Sequence, residues 1–496
     1  MNEWILPCVF LSSFLTGIVI FMLDEEQRAL RTVLNLAGAF VKLALVGVVL
    51  WGVYHEQTFE TRLAVLPGMD LIFRADALSV LFVTLSAVLW LLTTVYAIGY
   101  LEGSPNRSRF FGFFSLCVAS TMGISLAGNL FTFFLFYEML TLTTYPLVVH
   151  RGTERALRAG RVYAAYTLGG GAVFLIGIVW LYVLAGQVDF TQGGCVEHLG
   201  GDHRTALIAI FALLVGALGV KAALVPLHGW LPVAMVAPAP VSALLHAVAV
   251  VKAGAFGIVR VVYNVYGIDF ASGLGVLGPL SALAAVTIVY GSLRALAQDE
   301  LKRRLAYSTV SQLAYITLGV SIAGPVSTIA VLAHLVHQGI MKITLFFCAG
   351  NLAETLGIHC IREMDGTGRR MPWTMAAFTV AALGMIGVPP MAGFITKWFL
   401  GIGAADAGQP WVIGVLAASG LLNAAYFLPI VYAAWFKRPC APWPDDRGRG
   451  RLETDPLLLW PAVATAFLTL AAGLFAGSDF SPLDWATLIV TREYGP

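Results

Sequence analysis

Fourteen runs of about 20 mostly apolar residues, joined by short polar links, constrain this chain more than any other feature. They lie near 4–22, 34–54, 76–100, 110–127, 129–149, 161–186, 205–228, 241–263, 273–293, 304–323, 326–350, 372–399, 410–435 and 457–477. A helix of that length crosses a hydrocarbon layer about 30 Å thick. Inside the layer there is no water to bond the backbone, so each run must satisfy its own N–H and C=O groups, as a helix does. The expected fold is an all-α polytopic membrane protein. Composition agrees: 58% of the 496 residues are hydrophobic, 12% are charged, and mean hydropathy is +0.82. Polar stretches at 55–75, 187–204, 436–456 and after 478 are too short for a soluble catalytic domain. The N-terminus, MNEW, has no basic segment, so the first run reads as a retained helix.

The basic residues order these runs. The link HRGTERALRAGR, 150–161, carries four arginines and reads as cytoplasmic. Alternation then puts 20 Lys and Arg in cytoplasmic links, against 4 on the other side: Arg62, Arg74, Arg204 and Arg492. An odd number of spans would destroy that bias, so both termini are expected on the non-cytoplasmic side of the cell (inner) membrane. The net charge of +2 gives no argument for nucleic acid. Six scattered cysteines without a CxxC offer no iron–sulfur or zinc site, and no cofactor is expected.

Six basic residues remain inside the runs: Lys42, Lys221, Lys252, Arg260, Lys342 and Lys397. Each central lysine costs about 2.5–3.5 kcal/mol to insert. Two of them, with His228 and His246, fall in Gly216–Lys252, a stretch cut by Pro226, Pro232, Pro238 and Pro240. A helix-interior proline frees a carbonyl, which a membrane tolerates only against protein or a wet cavity. A second break, Pro389-Pro390 in GVPPMAGF, follows five spans later. That interval suggests two five-helix units, spans 4–8 and 9–13, with broken seventh and twelfth helices. An odd number of spans per unit makes the two units inverted. The corresponding divisions are 1–109, 110–263, 273–435 and 436–496, all within one membrane domain.

Glu138 is the one carboxylate deep within a run. It reads as a buried acid whose obvious partner is Lys221, against the plainer reading of a residue near a helix end. For Lys221 and Lys397 the plainer reading is snorkelling to a membrane face. Lys252 is the clearest central lysine. His246 lies six residues before it, so linking the two needs a water or a second helix. His334, His337 and Lys342 share one broad helical face. Two histidines there suit proton relay, because imidazole titrates near neutrality; satisfied structural histidines are the alternative. A metal site would need a third ligand that the spacing does not supply. Lys42 reads as lining a cavity or meeting another subunit, and Arg260 as lying near the outer interface; neither is assigned a transport role.

The string HGWLPVAMVAPAPVSALLHAVAVVKAG resembles the signature of the proton-translocating antiporter-like subunits of respiratory complex I, Mrp-type multisubunit Na+/H+ antiporters and membrane-bound hydrogenases. FYEML (136–140), KAALVPLH (221–228), DELKRRLAYSTVSQ (299–312), HLVHQGIMKITLFF (334–347) and GVPPMAGFITK (387–397) extend the match over about residues 110–400. The resemblance implies fourteen helices, two inverted repeats and a hydrated polar axis. It matches Glu138 and Lys221 to a coupled acid–lysine pair, Lys252 to the central lysine, Lys397 to the exit lysine, and His334 and His337 to the connecting helix. Val233 departs from it, standing where relatives often carry an acid. Lys397, in place of the glutamate of some complex I types, leans towards an Mrp D-like subunit. So does a chain end about 19 residues after the last span.

The function this implies is proton translocation within a larger complex, with other membrane subunits as partners, H+ and Na+ as ions, and no redox centre in this chain. Three rivals stand beside it: a subunit of a redox-driven pump, a scaffold with structural charge pairs, and a proton-coupled inorganic-carbon uptake subunit.

Overall fold

The computed structural model describes residues 2–439, 442–446 and 453–494. Arg447, Arg449 and Arg451, counted above among the cytoplasmic charges, lie outside the described residues. Helices α1 (Asn2–Phe21) and α2 (Arg28–Tyr54) lead to a hairpin, β1 (Phe59–Leu66) and β2 (Met69–Ala75). Next come α3 (Ala77–Tyr100), α4 (Arg107–Ser125), α5 (Leu130–Val148), α6 (Glu154–Ala185) and α7 (Gly200–Lys221). The proline-rich stretch forms α8 (Trp230–Val233), α9 (Ala239–Ala247) and α10 (Val250–Arg260). The chain continues through α11 (Ile268–Leu274), α12 (Leu277–Leu296), α13 (Leu301–Ile322) and α14 (Pro325–Leu356). It ends with α15 (Thr367–Arg370), α16 (Pro372–Ile386), α17 (Ala392–Asp406), α18 (Trp411–Phe436), α19 (Pro456–Leu474) and α20 (Pro482–Ile489).

Among the described residues, twelve helical segments are long and apolar enough to cross a membrane. The other two expected spans are α4 and the α16–α17 pair. Four serines, Thr121 and two arginines lower the hydropathy of α4; packing against α1 and α5 covers the hydroxyl residues, while Arg109 stays exposed at its start. The α16–α17 pair is divided at 387–391.

Polarity decides which helices stand at the centre. α13 carries Ser308, Thr309, Ser311, Gln312 and Thr317, all buried, and is covered along its whole span. Polar groups cannot face hydrocarbon unpaired, so such a helix must be wrapped by others. α14, α9 and α10 share that centre. The peripheral α2, α6 and α18 present Val33, Trp51, Ile176 and Leu421 outward, as lipid-facing helices do.

The polar stretch at 55–75, expected only as a link between spans, folds as the β1–β2 hairpin. Alternating apolar residues flank Pro67-Gly68, and Gly68 takes φ +77°, a value that favours glycine at a tight turn. Arg62 bonds Asp189 at 2.8 Å, and Arg74 bonds Glu60 at 2.6 Å and the Phe190 carbonyl at 2.6 Å, tying the hairpin to the 187–190 link. Elsewhere Arg155 meets Glu300 at 3.4 Å and Arg370 meets Asp446 at 2.6 Å. The pairs Arg107–Glu25, Arg155–Glu300, Arg362–Asp299, Arg370–Asp446, Lys437–Asp365 and Arg492–Glu56 each join links that alternation assigns to the same side.

Three spans are broken rather than two. The α7–α8 and α16–α17 breaks fall where the prolines suggest. The third, between α9 and α10, has Val248 at φ −133°, ψ −50° and Ala249 at φ −88°, ψ −94°. Neither proline nor glycine marks it.

Candidate functional site

The first break leaves Lys221 as the last residue of α7, fully buried. Its ammonium donates to the Tyr137 carbonyl on α5 and lies 3.3 Å from the Tyr137 ring centroid, a cation–π contact. Glu138 follows Tyr137 on α5. Its Oε1 is buried without a hydrogen-bond partner and points at Gly171 of α6, where an added Cβ would come within 2.2 Å. No Glu138–Lys221 ion pair within 4.0 Å occurs among the described residues. The two side chains address the same turn of α5, with Tyr137 beside the ammonium.

α10 runs directly past Lys221. A Cβ on Gly254 would meet the Ala222 nitrogen at 2.3 Å and the Lys221 carbonyl carbon at 2.8 Å, so only glycine allows this approach. Two residues earlier, Lys252 is fully buried and donates to the Leu335 carbonyl of α14 at 2.6 Å. The neighbouring turns of α14 carry His334 and His337, both buried. His334 contacts Thr396 of α17 at 3.0 Å and the Gln312 carbonyl of α13 at 3.2 Å. His337 makes no hydrogen bond of ordinary geometry. Gln312 and Gln338 also bury both amide atoms without a partner.

The line continues into α17. Lys397 donates to the Met385 and Ile386 carbonyls at 2.8 and 2.7 Å. These belong to the last turn of α16, where four carbonyls lose their helical partners. The ammonium lies 5.6 Å from the Tyr315 ring, which is 5.5 Å from the His334 ring. Tyr315 and Thr396 therefore join His334 to the α16–α17 break.

A side branch follows α13. His246 bonds Thr309 at 2.9 Å, and Lys342 donates to Ser308 and to the Leu305 carbonyl at 3.2 Å. The α9–α10 break separates His246 from Lys252, so α13 holds one and α14 the other. His228 stands apart, partly exposed, beside the Tyr290 ring at 5.0 Å. Pro226 sits within the first break, Pro232 in the first turn of α8, and Pro389 and Pro390 within the last. A first-turn proline loses no helical hydrogen bond, so Pro232 follows the break rather than making it.

Sequence reasoning did not assign Tyr137, Ser308, Thr309, Gln312, Tyr315 or Thr396. The polar run YSTVSQ inside a span was the available signal for the α13 members. Lys42 is fully buried, donating to Ser13 at 2.5 Å and lying 4.1 Å from the Trp90 ring. Arg260 makes a bidentate pair with Asp76 at 2.6 and 2.7 Å.

Residues 127–422 match the family model described as NADH:quinone oxidoreductase/Mrp antiporter, TM, and residues 68–111 match the complex I chain 5 N-terminus model. The chain is 33% identical to NADH-quinone oxidoreductase subunit N of Desulforudis audaxviator over 422 residues, 82% of each chain. It is 26% identical to a Na(+)/H(+) antiporter subunit of Bacillus subtilis over 483 residues, 96% of this chain and 94% of that one. A chain of the Mrp complex from Dietzia sp. has the same fold, with a TM-score of 0.85 at 24% identity over 99% of this chain and 98% of that one.

Proposed function

Because the chain belongs to the family of NADH:quinone oxidoreductase and Mrp antiporter transmembrane subunits, we propose that it translocates protons within a multisubunit membrane complex, in the first instance a Mrp-type cation/proton antiporter. The observation that carries this reading is the line of ionisable groups from half-buried Glu138 and buried Lys221 through buried Lys252 and His334 to half-buried Lys397. Its basic members are held by carbonyls, a hydroxyl or a ring rather than locked in ion pairs, and Glu138 Oε1 has no hydrogen-bond partner. An ammonium held by neutral groups can give up its proton without leaving a carboxylate stranded. Buried polar groups without protein partners, such as Gln312 and Gln338, fit a hydrated path.

In this reading protons enter from the cytoplasmic side towards Lys221 and Lys252, pass His334 and His337, and leave near Lys397. Approach of Glu138 to Lys221 favours the charged lysine; retreat drives its proton onward. The half-repeats 110–263 and 273–435 would then act as successive units, each with its lysine at a broken helix. Both termini lie on the non-cytoplasmic side. Electron transfer, where the host complex has any, belongs to other subunits.

A second reading, a proton-pumping subunit of a redox complex, is favoured by the identity to NADH-quinone oxidoreductase subunit N. The membrane proteins that co-purify with the chain decide between the two hosts. The transport reading itself is tested by proton flux in proteoliposomes carrying the whole complex. Lys397→Ala is expected to lower flux at least about tenfold with the complex intact; undiminished flux overturns the exit role.

A further inference from the structure

Beyond the last span the chain returns to the bundle. Trp485 of α20 donates to the Ala77 carbonyl at 2.9 Å, and Glu493 Oε1 accepts from the Ala77 nitrogen at 2.5 Å. Asp76 Oδ1 accepts from the Ser79 nitrogen at 2.7 Å. Two carboxylates thus share the first turn of α3, facing one guanidinium, that of Arg260. Arg260 is 1% exposed, bonds Asp76, Ser79 and Asn264, and buries its Nε without a partner. Tyr494 donates to the same Asn264 oxygen at 3.2 Å, and its ring lies 4.6 Å from that of Tyr263. Tyr263 bonds Thr328, in the first turn of α14, at 2.6 Å.

This cluster therefore stands at the outer ends of the two helices that carry Lys252 and His334. Arg260 follows Lys252 by eight residues, about 12 Å along α10. Asp76 keeps 24% of its side chain exposed, so solvent reaches one edge while Arg260 seals the other.

We propose that Glu493, seated with Asp76 and Arg260 on the start of α3, is a protonatable gate that opens the first half of the path to the non-cytoplasmic side. The inference rests on the transport reading above. With Glu493 protonated, Arg260 stays with Asp76 and the tail stays docked. When Glu493 releases its proton outward, a second negative charge competes for the guanidinium and loosens the seal. A proton arriving along α10 and α14 restores the neutral acid. Burial, with the Asp76 charge beside it, pushes the Glu493 carboxyl up to about 8, which suits it to this exchange. Tyr263, Tyr494, Asp76 and Arg260 are the charged or titratable groups facing it; Arg492 turns away to Glu56.

The test uses the whole complex in proteoliposomes, with flux measured against outer pH for wild type, Glu493→Gln and Glu493→Asp. The glutamine keeps the acceptor for the Ala77 nitrogen and removes the titration. Glu493→Gln is expected to flatten the alkaline part of the profile, moving its midpoint by about one pH unit or more, while Glu493→Asp restores it. Infrared titration of the detergent-solubilised complex is expected to show a carboxyl band that is present in wild type and absent from Glu493→Gln. Wild-type flux with an unchanged Glu493→Gln profile overturns the gate alone. A wild-type complex that moves no protons overturns the transport reading, and the gate with it.

Discussion

Gly171→Ala tests the Glu138 site through a residue that carries no charge. The new Cβ would stand 2.2 Å from Glu138 Oε1, 2.6 Å from its Cδ and 2.9 Å from Oε2. Ordinary non-bonded contact begins about 3.5 Å apart, so the carboxylate must retreat by roughly 1 Å or more. The atoms in the way are the far end of a flexible side chain, which a rotamer change clears. Alanine also favours the interior of α6 by about 1 kcal/mol over glycine. The protein should therefore unfold at the wild-type temperature or slightly above. Its function should not survive unchanged, since a 1 Å misplacement of a reacting group costs about 10²-fold in rate. The assay is proton flux by the reconstituted complex, with thermal unfolding of the same preparation. Adding Glu138→Asp, which shortens the side chain by one methylene, should recover part of the lost flux. Wild-type flux in Gly171→Ala would refute the argument that the position of this carboxylate matters.

Three further outcomes follow from the geometry. Gly254→Ala drives a Cβ against the Ala222 backbone at 2.3 Å, which cannot swing aside, so it should destabilise by about 1–3 kcal/mol and lower the unfolding temperature. Arg260→Met strands Asp76 and should cost about 3 kcal/mol, less whatever solvent returns to its exposed edge; adding Asp76→Asn should recover much of that in a double-mutant cycle of thermal unfolding. Docking of the tail should depend on pH. Glu493 is raised to about 8 when docked, from a free value of 4.5, so the docked state holds the extra proton between those values. Docking is then strongest below about 4.5 and weakens as pH rises through 8. Limited proteolysis of residues after 478 should accelerate across that window in wild type and stay flat in Glu493→Gln.

The helical membrane fold was legible because the bilayer leaves the backbone few options, and the basic residues counted the crossings. The first and last breaks were legible at Pro226 and Pro389-Pro390. The α9–α10 break was not, because it falls at Val248 and Ala249, with no residue of special backbone preference to mark it. The hairpin could have been read from Pro67-Gly68, but strands are not expected where polar links are short. The buried basic residues stood out by their cost in an apolar run. Their partners did not: the Tyr137 and Leu335 carbonyls carry no side-chain signal, and Tyr315 and Thr396 are ordinary residues in a span. Glu138 was matched to Lys221 by charge and by the resemblance of FYEML and KAALVPLH, and neither signal pointed to Tyr137, which the structure sets beside the ammonium. Glu493 escaped notice because it becomes buried only when the tail folds back onto α3.

The central claim of the proposed function is that Lys252, fully buried and bonded across to α14, passes protons onward from α10 to α14. Its most direct test is proton flux in proteoliposomes bearing the complete complex with Lys252→Ala. The account predicts an assembled complex whose flux falls to near the leak of empty vesicles; flux equal to wild type would contradict it.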